Sequence, residues 1–158
     1  MGNIFSGSEI AEIGIQIEKN GRDFYNGLVK KIAEKKIQDI LKYLAAQEEL
    51  HIALFQQILG SVEKYEPAES YPGEYFAYMS ALAKDCVFTQ KDTGTQAAES
   101  IKNTRDAIDK AIGFEKDSIV FYEGAKKIAP PEGQKIVDEL ILQEQGHLRQ
   151  LLEIKAGL

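Results

Sequence analysis

Gln47-Glu48-Glu49-Leu50-His51 returns 96 residues later as Gln143-Glu144-Gln145-Gly146-His147. Each copy puts a carboxylate and an imidazole three residues apart, a spacing that places both on one face of a helix. Each copy also interrupts an apolar stripe. Ile37, Ile40, Leu41 and Leu44 precede the first, and Ile52 and Phe55 follow it; Ile136, Leu140 and Ile141 precede the second, and Leu148 and Leu151 follow it. A stripe at that spacing is the face a helix buries. A buried, unpaired carboxylate costs several kcal/mol, so carboxylates in such places are normally paired or bound to a metal. One Glu-x-x-His is an ordinary accident of a helix surface; two, each on an apolar stripe, point to a site.

The repetition extends upstream. Ile17-Glu18-Lys19-Asn20-Gly21-Arg22-Asp23-Phe24-Tyr25 aligns with Phe114-Glu115-Lys116-Asp117-Ser118-Ile119-Val120-Phe121-Tyr122, matching Glu, Lys, Phe and Tyr at an offset of 97 (Glu18 to Glu115). The chain thus reads as two helical hairpins, about 8–60 and 104–156, each with one Glu on its first helix and Glu-x-x-His on its second. At about 1.5 Å rise per residue, antiparallel packing within each hairpin brings all four carboxylates to one height. Paired about a pseudo-twofold axis, the hairpins close an all-α four-helix bundle. The donor set is that of di-iron and di-manganese carboxylate bundles.

In chain order, Ser6 and Glu9 form a capping box before a first helix ending near Ala33. The second runs from about Lys36 to Leu59, with Gly60 as its C-cap. Residues 61–103 are broken by Pro67, Pro72, Gly73 and Gly94 and rich in aromatics (Tyr65, Tyr71, Tyr75, Phe76 and Tyr78), with a short helix expected near Glu74–Lys84. A segment of this length can run the length of the bundle as one long crossover, which makes the second and third main helices parallel. Thr104 reads as the N-cap of the third helix. Pro130-Pro131 end that helix and start the fourth, which runs to about Ala156.

The 158 residues fit one domain, 1–158. The net charge of −6 argues against nucleic acid as a partner. One cysteine, Cys86, excludes a disulfide within the chain and suits a reducing cytoplasm. No apolar run approaches the roughly 18 residues of a membrane span. Met1-Gly2-Asn3-Ile4-Phe5-Ser6 matches the short myristoylation consensus, which matters only in a eukaryotic cell.

On Glu18-Lys19 with Phe24-Tyr25, Glu48 to His51, Tyr78 to Phe88, Glu115 to Ser118 with Phe121-Tyr122, and Glu144 to Leu148, the chain resembles the rubrerythrin-like branch of the ferritin-like superfamily over nearly its whole length. The resemblance implies a ferritin-like bundle, a non-haem di-iron site, chemistry on peroxide or dioxygen, and commonly a homodimer. Two departures stand out. A rubredoxin-like domain needs four cysteines, so the electron donor is expected to be a separate protein. The further Glu that rubrerythrins carry three residues after the third-helix ligand is here Ser118, and its counterpart in the first half is Gly21. Both His51 and His147 are therefore expected to stay bound in both oxidation states.

The expected ligands are Glu18 and His51 on one metal, Glu115 and His147 on the other, with Glu48 and Glu144 bridging. Four carboxylates and two imidazoles suit iron or manganese, and zinc could take the same ligands. Tyr25 and Tyr122, seven residues after Glu18 and Glu115, are either core tyrosines or hydrogen-bond donors near the site. Gln47 and Gln143, four residues before each His, could fix its tautomer. Glu49, replaced by Gln145 in the second half, is expected to face solvent. The function expected is reduction of peroxide or dioxygen. The alternative is oxidation or handling of ferrous iron, against which the lack of a fifth helix after the bundle counts.

Overall fold

The computed structural model describes residues 7–64, 73–85, 89–127 and 129–158. They form six helices: α1 (Gly7–Val29), α2 (Lys35–Lys64), α3 (Gly73–Asp85), α4 (Thr93–Ser100), α5 (Thr104–Lys126) and α6 (Pro131–Ala156). Ser6 of the capping pair, the myristoylation motif, Cys86, and Tyr65 and Tyr71 of the crossover lie outside the described residues.

Each long helix buries a strict three-and-four stripe. On α2 it is Ile37, Leu41, Leu44, Glu48, His51, Phe55 and Ile58; on α6 it is Val137, Leu140, Glu144, His147 and Leu151. The stripe of α1 takes in Gly14, Glu18, Gly21, Tyr25 and Leu28, and that of α5 takes in Ala111, Glu115, Ser118, Tyr122 and Ala125. Such spacing is the seam of a left-handed bundle. Within it the six Glu and His side chains replace hydrocarbon. α1 packs on α2, α5 on α6, α1 on α5 and α2 on α6.

The connection between the hairpins is a long crossover. The Thr104 hydroxyl, at the start of α5, bonds the Glu34 carboxylate at 3.2 Å. Lys31, just past α1, caps the Glu99 and Ile101 carbonyls. The start of α5 therefore lies beside the start of α2, the two run parallel, and the chain between them travels the bundle's length.

Three helix boundaries differ from expectation. α1 stops at Val29 because the amides of both Lys31 and Ile32 turn back on the Leu28 carbonyl (2.9 and 3.0 Å), a turn made without Gly or Pro. α2 continues through Gly60 to Lys64; a C-capping glycine needs positive φ, and no described glycine has it. The N-cap of α5 is Asn103, whose side chain accepts from the Asp106 amide at 2.8 Å, and Thr104 is the first helical residue.

The short helix α4 went unforeseen. It docks on α1 through Gly94, where an added Cβ would lie 2.0 Å from the Asn20 carbonyl oxygen. The buried Asn20 side chain accepts from the Gly94 amide and donates to the Gln90 carbonyl, at 3.2 and 2.6 Å. Further along, Gly27 of α1 seats Ala98 of α4, and Gly124 of α5 seats Met79 of α3. These glycines are 97 residues apart, the same offset as Glu18 and Glu115. The duplication thus includes a glycine seat on each first helix, and the crossover fills both.

Candidate metal centre

Halfway along the bundle the four seams converge. Glu18, Glu48, His51, Glu115 and Glu144 have no solvent exposure, and His147 is 4% exposed. One donor atom from each of Glu18, Glu48, His51 and Glu144 falls within 4.8 Å of the others, as does one from each of Glu48, Glu115, Glu144 and His147. Glu48 and Glu144 belong to both groups. All six residues singled out from the sequence are therefore brought together.

The imidazoles face inward by Nδ1. That of His51 lies 2.9 Å from Glu144, 3.2 Å from Glu18 and 3.6 Å from Glu48. His147 Nδ1 lies 3.0 Å from Glu144 and 3.8 Å from both Glu48 and Glu115. The rings stack at 5.5 Å between centroids, 17° from parallel.

Around this centre the polar contacts cross between hairpins. The Tyr25 hydroxyl donates to Glu115, and the Tyr122 hydroxyl donates to Glu18. Each tyrosine thus serves the carboxylate of the opposite hairpin, although it shares a helical face with its own. His51 Nε2 meets Gln143 Oε1 at 2.8 Å, so Gln143 serves the opposite hairpin's histidine and not the one four residues along its own helix. Among the described residues Gln47 makes no matching contact with His147. Glu49 is on the surface, 59% exposed, and pairs with Arg22 at 2.7 Å.

Electrostatics reflect four acids in one dry space. Burial, added to the charges of Glu144 and Glu18, pushes the Glu48 carboxyl well above the usual range. Burial and Glu144 do the same to Glu115, and burial with Glu18 raises Glu144. Burial also works against the Glu18 anion, but the neighbouring Glu48, the His51 ring and the Tyr122 hydroxyl outweigh it and hold Glu18 below the usual range. For His51, burial is overcome by the surrounding carboxylates of Glu144, Glu18 and Glu48, which push the ring upward. Burial lowers His147 and leaves it neutral. Burial and the facing carboxylates raise Tyr25 and Tyr122 far above the ordinary phenol, so both are donors.

Both oxygens of Glu48 and one of Glu115 are buried without a hydrogen-bond partner, and Glu144 Oε1 has only the His51 Nδ1 beside it, which Glu18 shares. Unpaired buried acceptors of this kind normally find a cation. The donor set, oxygen-rich with two imidazoles, matches a pair of first-row metals.

A bundle with one long crossover and two overlapping Glu/His groups defines a ferritin-like diiron-carboxylate protein. Sequence comparison is more specific: the chain belongs to the rubrerythrin family, whose sequence profile matches residues 9–155. It is also similar to the crystal structure of a protein from Thermotoga maritima described as ferritin-like and diiron-carboxylate, with 25% identity and a TM-score of 0.72 over 99% of this chain and 98% of that one. No curated protein matches the chain. Family membership and the buried donor cluster are consistent with two iron ions. Among the described residues no helix is long and apolar enough to cross a membrane.

Proposed function

We propose that the protein is a di-iron oxidoreductase that reduces peroxide or dioxygen, with electrons from a separate donor protein. The observation that carries this reading is the set of unpaired, buried carboxylate oxygens on Glu48 and Glu115, beside Glu144 and two inward imidazoles. Glu18 and His51 would hold one ion, Glu115 and His147 the other, with Glu48 and Glu144 between them. Two adjacent irons would together supply the two electrons that peroxide reduction needs. The chain's own contribution is to fix the donors, exclude water and hold protons. Tyr25 and Tyr122 tie down the outer oxygens of Glu115 and Glu18, leaving the remaining oxygens for the ions.

Ser118 contributes no ligand in this reading. It is buried, and its hydroxyl donates to the Phe114 carbonyl at 3.0 Å on its own helix. At the counterpart position, Gly21, the Phe114 ring fills the space. Both histidines therefore stay in place as the oxidation state changes. We place the protein in the cytoplasm as a homodimer, with the exposed Tyr78 and half-buried Tyr75 of α3 at the contact.

The test is metal analysis of protein purified without oxygen, followed by mixing the reduced form with peroxide and separately with ferrous iron and dioxygen. Rapid peroxide consumption with about two metals per chain supports the proposal. Oxidation of many ferrous ions per chain, with light scattering from a cage and not from about two chains, would replace it with iron handling.

A further inference from the structure

The two halves of the centre are not equivalent. His51 is fully buried, with Nδ1 toward the carboxylates and Nε2 against Gln143 Oε1 at 2.8 Å. His147, its counterpart, has a side chain 5% exposed. The edge-on ring of Tyr43 packs against it, 6.3 Å between centroids, and Tyr43 is itself 48% exposed. Among the described residues no amide meets His147 as Gln143 meets His51. The residue placed to do so, Gln47, is half-buried on α2.

We propose that Gln143 is a positioning residue that fixes His51 in the Nε2–H tautomer, so that the Glu18/His51 position binds metal first and holds it, while the Glu115/His147 position fills second and exchanges. The proposal rests on the metal-centre reading above. An imidazole that ligates through Nδ1 must carry its proton on Nε2. An amide oxygen can only accept, so Gln143 selects that tautomer and holds the ring plane as well. Partners that orient a metal-ligating histidine are worth about 10–100-fold in metal affinity. His147 lacks this support at Nε2 and is held only by its Nδ1 contact with Glu144 and by the His51 and Tyr43 rings. Its side chain is also 5% exposed beside the half-exposed Tyr43 ring, whereas that of His51 is fully enclosed.

Cobalt(II) titration of the metal-free protein, followed by visible absorption, tests the order of filling. Two steps at least about tenfold apart in affinity are expected. Gln143→Leu should weaken the tighter step about 10–100-fold and merge the two. Gln143→Glu, which keeps an acceptor oxygen, should restore the separation; Gln47→Leu should leave both steps unchanged. Nitrogen-15 spectra of the zinc-loaded protein give an independent readout, since the chain has only two histidines. One Nε2–H should be protected from solvent exchange and the other not, and Gln143→Leu should abolish the protection. Equal steps in the parent protein, an unchanged isotherm in Gln143→Leu, or an equal effect of Gln47→Leu would overturn the proposal. Absence of any cobalt binding would instead overturn the metal-centre reading itself.

Discussion

The Tyr25 hydroxyl of α1 donates to Glu115 of α5, and this bond joins the two halves of a duplicated chain at their centre. The reciprocal bond from Tyr122 to Glu18 makes a crossed pair. Aromatic rings wedge both tyrosines in place: Phe114 stands edge-on to Tyr25 at 6.0 Å, and Phe55 lies 4.9 Å from Tyr122. The two phenols are therefore rigid donors between hairpins as well as neighbours of the site.

Tyr25→Phe and Tyr122→Phe should each destabilise the protein by about 1–3 kcal/mol, the cost of leaving a buried carboxylate oxygen unpaired. Each should also lower metal affinity, because the freed oxygen no longer orients its carboxylate. Denaturant unfolding and metal titration of both variants check this. Unchanged midpoints would mean that the bonds contribute nothing.

Glu48→Gln should act oppositely on stability at high pH and on binding. Burial and the charges of Glu144 and Glu18 push the Glu48 carboxyl well upward, so the metal-free protein holds it neutral, and the isosteric amide should stabilise that form only at high pH, where the carboxyl would otherwise ionise. Metal content should nevertheless fall well below that of the parent, and Glu144→Ala should show the same loss. Glu49→Ala, on the surface with Arg22, should retain full metal. Equal metal content in all three variants would exclude Glu48 and Glu144 as shared ligands.

The metal-free protein should lose stability as pH rises. Glu48, Glu115 and Glu144 are shifted upward by burial and by one another, so the folded state binds more protons than the unfolded from about pH 4.3 upward. His51, also shifted upward, adds the same sign above about pH 6.5. His147, shifted downward by burial, opposes this with one group as pH rises through about 6.5. Glu18, shifted downward, matters only in acid. Melting temperatures of the metal-free protein should therefore fall between about pH 6 and 9. Bound metal should flatten or reverse the trend, because it takes the place of the protons. A metal-free profile that rises across this range would contradict the shifts.

Gly27→Ala should destabilise, because its Cβ would come 2.6 Å from the Ala98 Cβ, a rigid neighbour. The helix-propensity gain of about 1 kcal/mol is outweighed by overpacking of about 1–3 kcal/mol. Gly124→Ala should cost less, since its nearest neighbour is the flexible Met79 thioether. Gly113→Ala, with open space around it, should stabilise by about 0.5–1 kcal/mol. Thermal melts of the three variants should rank in that order.

Two carboxylate-imidazole pairs on apolar stripes, 96 residues apart, with the Glu18 and Glu115 stretches repeated at 97, were enough to read the bundle, its crossover and the gathering of Glu18, Glu48, His51, Glu115, Glu144 and His147. Periodicity reports which face of a helix is buried, and the donors share that face. It does not report which neighbour a side chain meets. Tyr25 and Gln143 were legible as residues near the site, but their reach into the other hairpin depends on the rotation of one helix against the next. The helix α4 escaped notice because Thr93–Ser100 is short and small-residued, with no apolar stripe. Its signal was present in another form: Gly27 and Gly124 repeat at the offset of the ligands, and a repeated glycine marks a close approach.

The two short helices of the crossover are exchanged arms. α3 extends from the first hairpin and seats on Gly124 of the second; α4 extends from the second and seats on Gly27 of the first. Neither hairpin can withdraw without lifting its own arm from its partner and releasing the arm it receives. A chain cut between α3 and α4 should consequently yield two fragments that still clasp each other, each carrying half of the donors and neither able to assemble the centre alone.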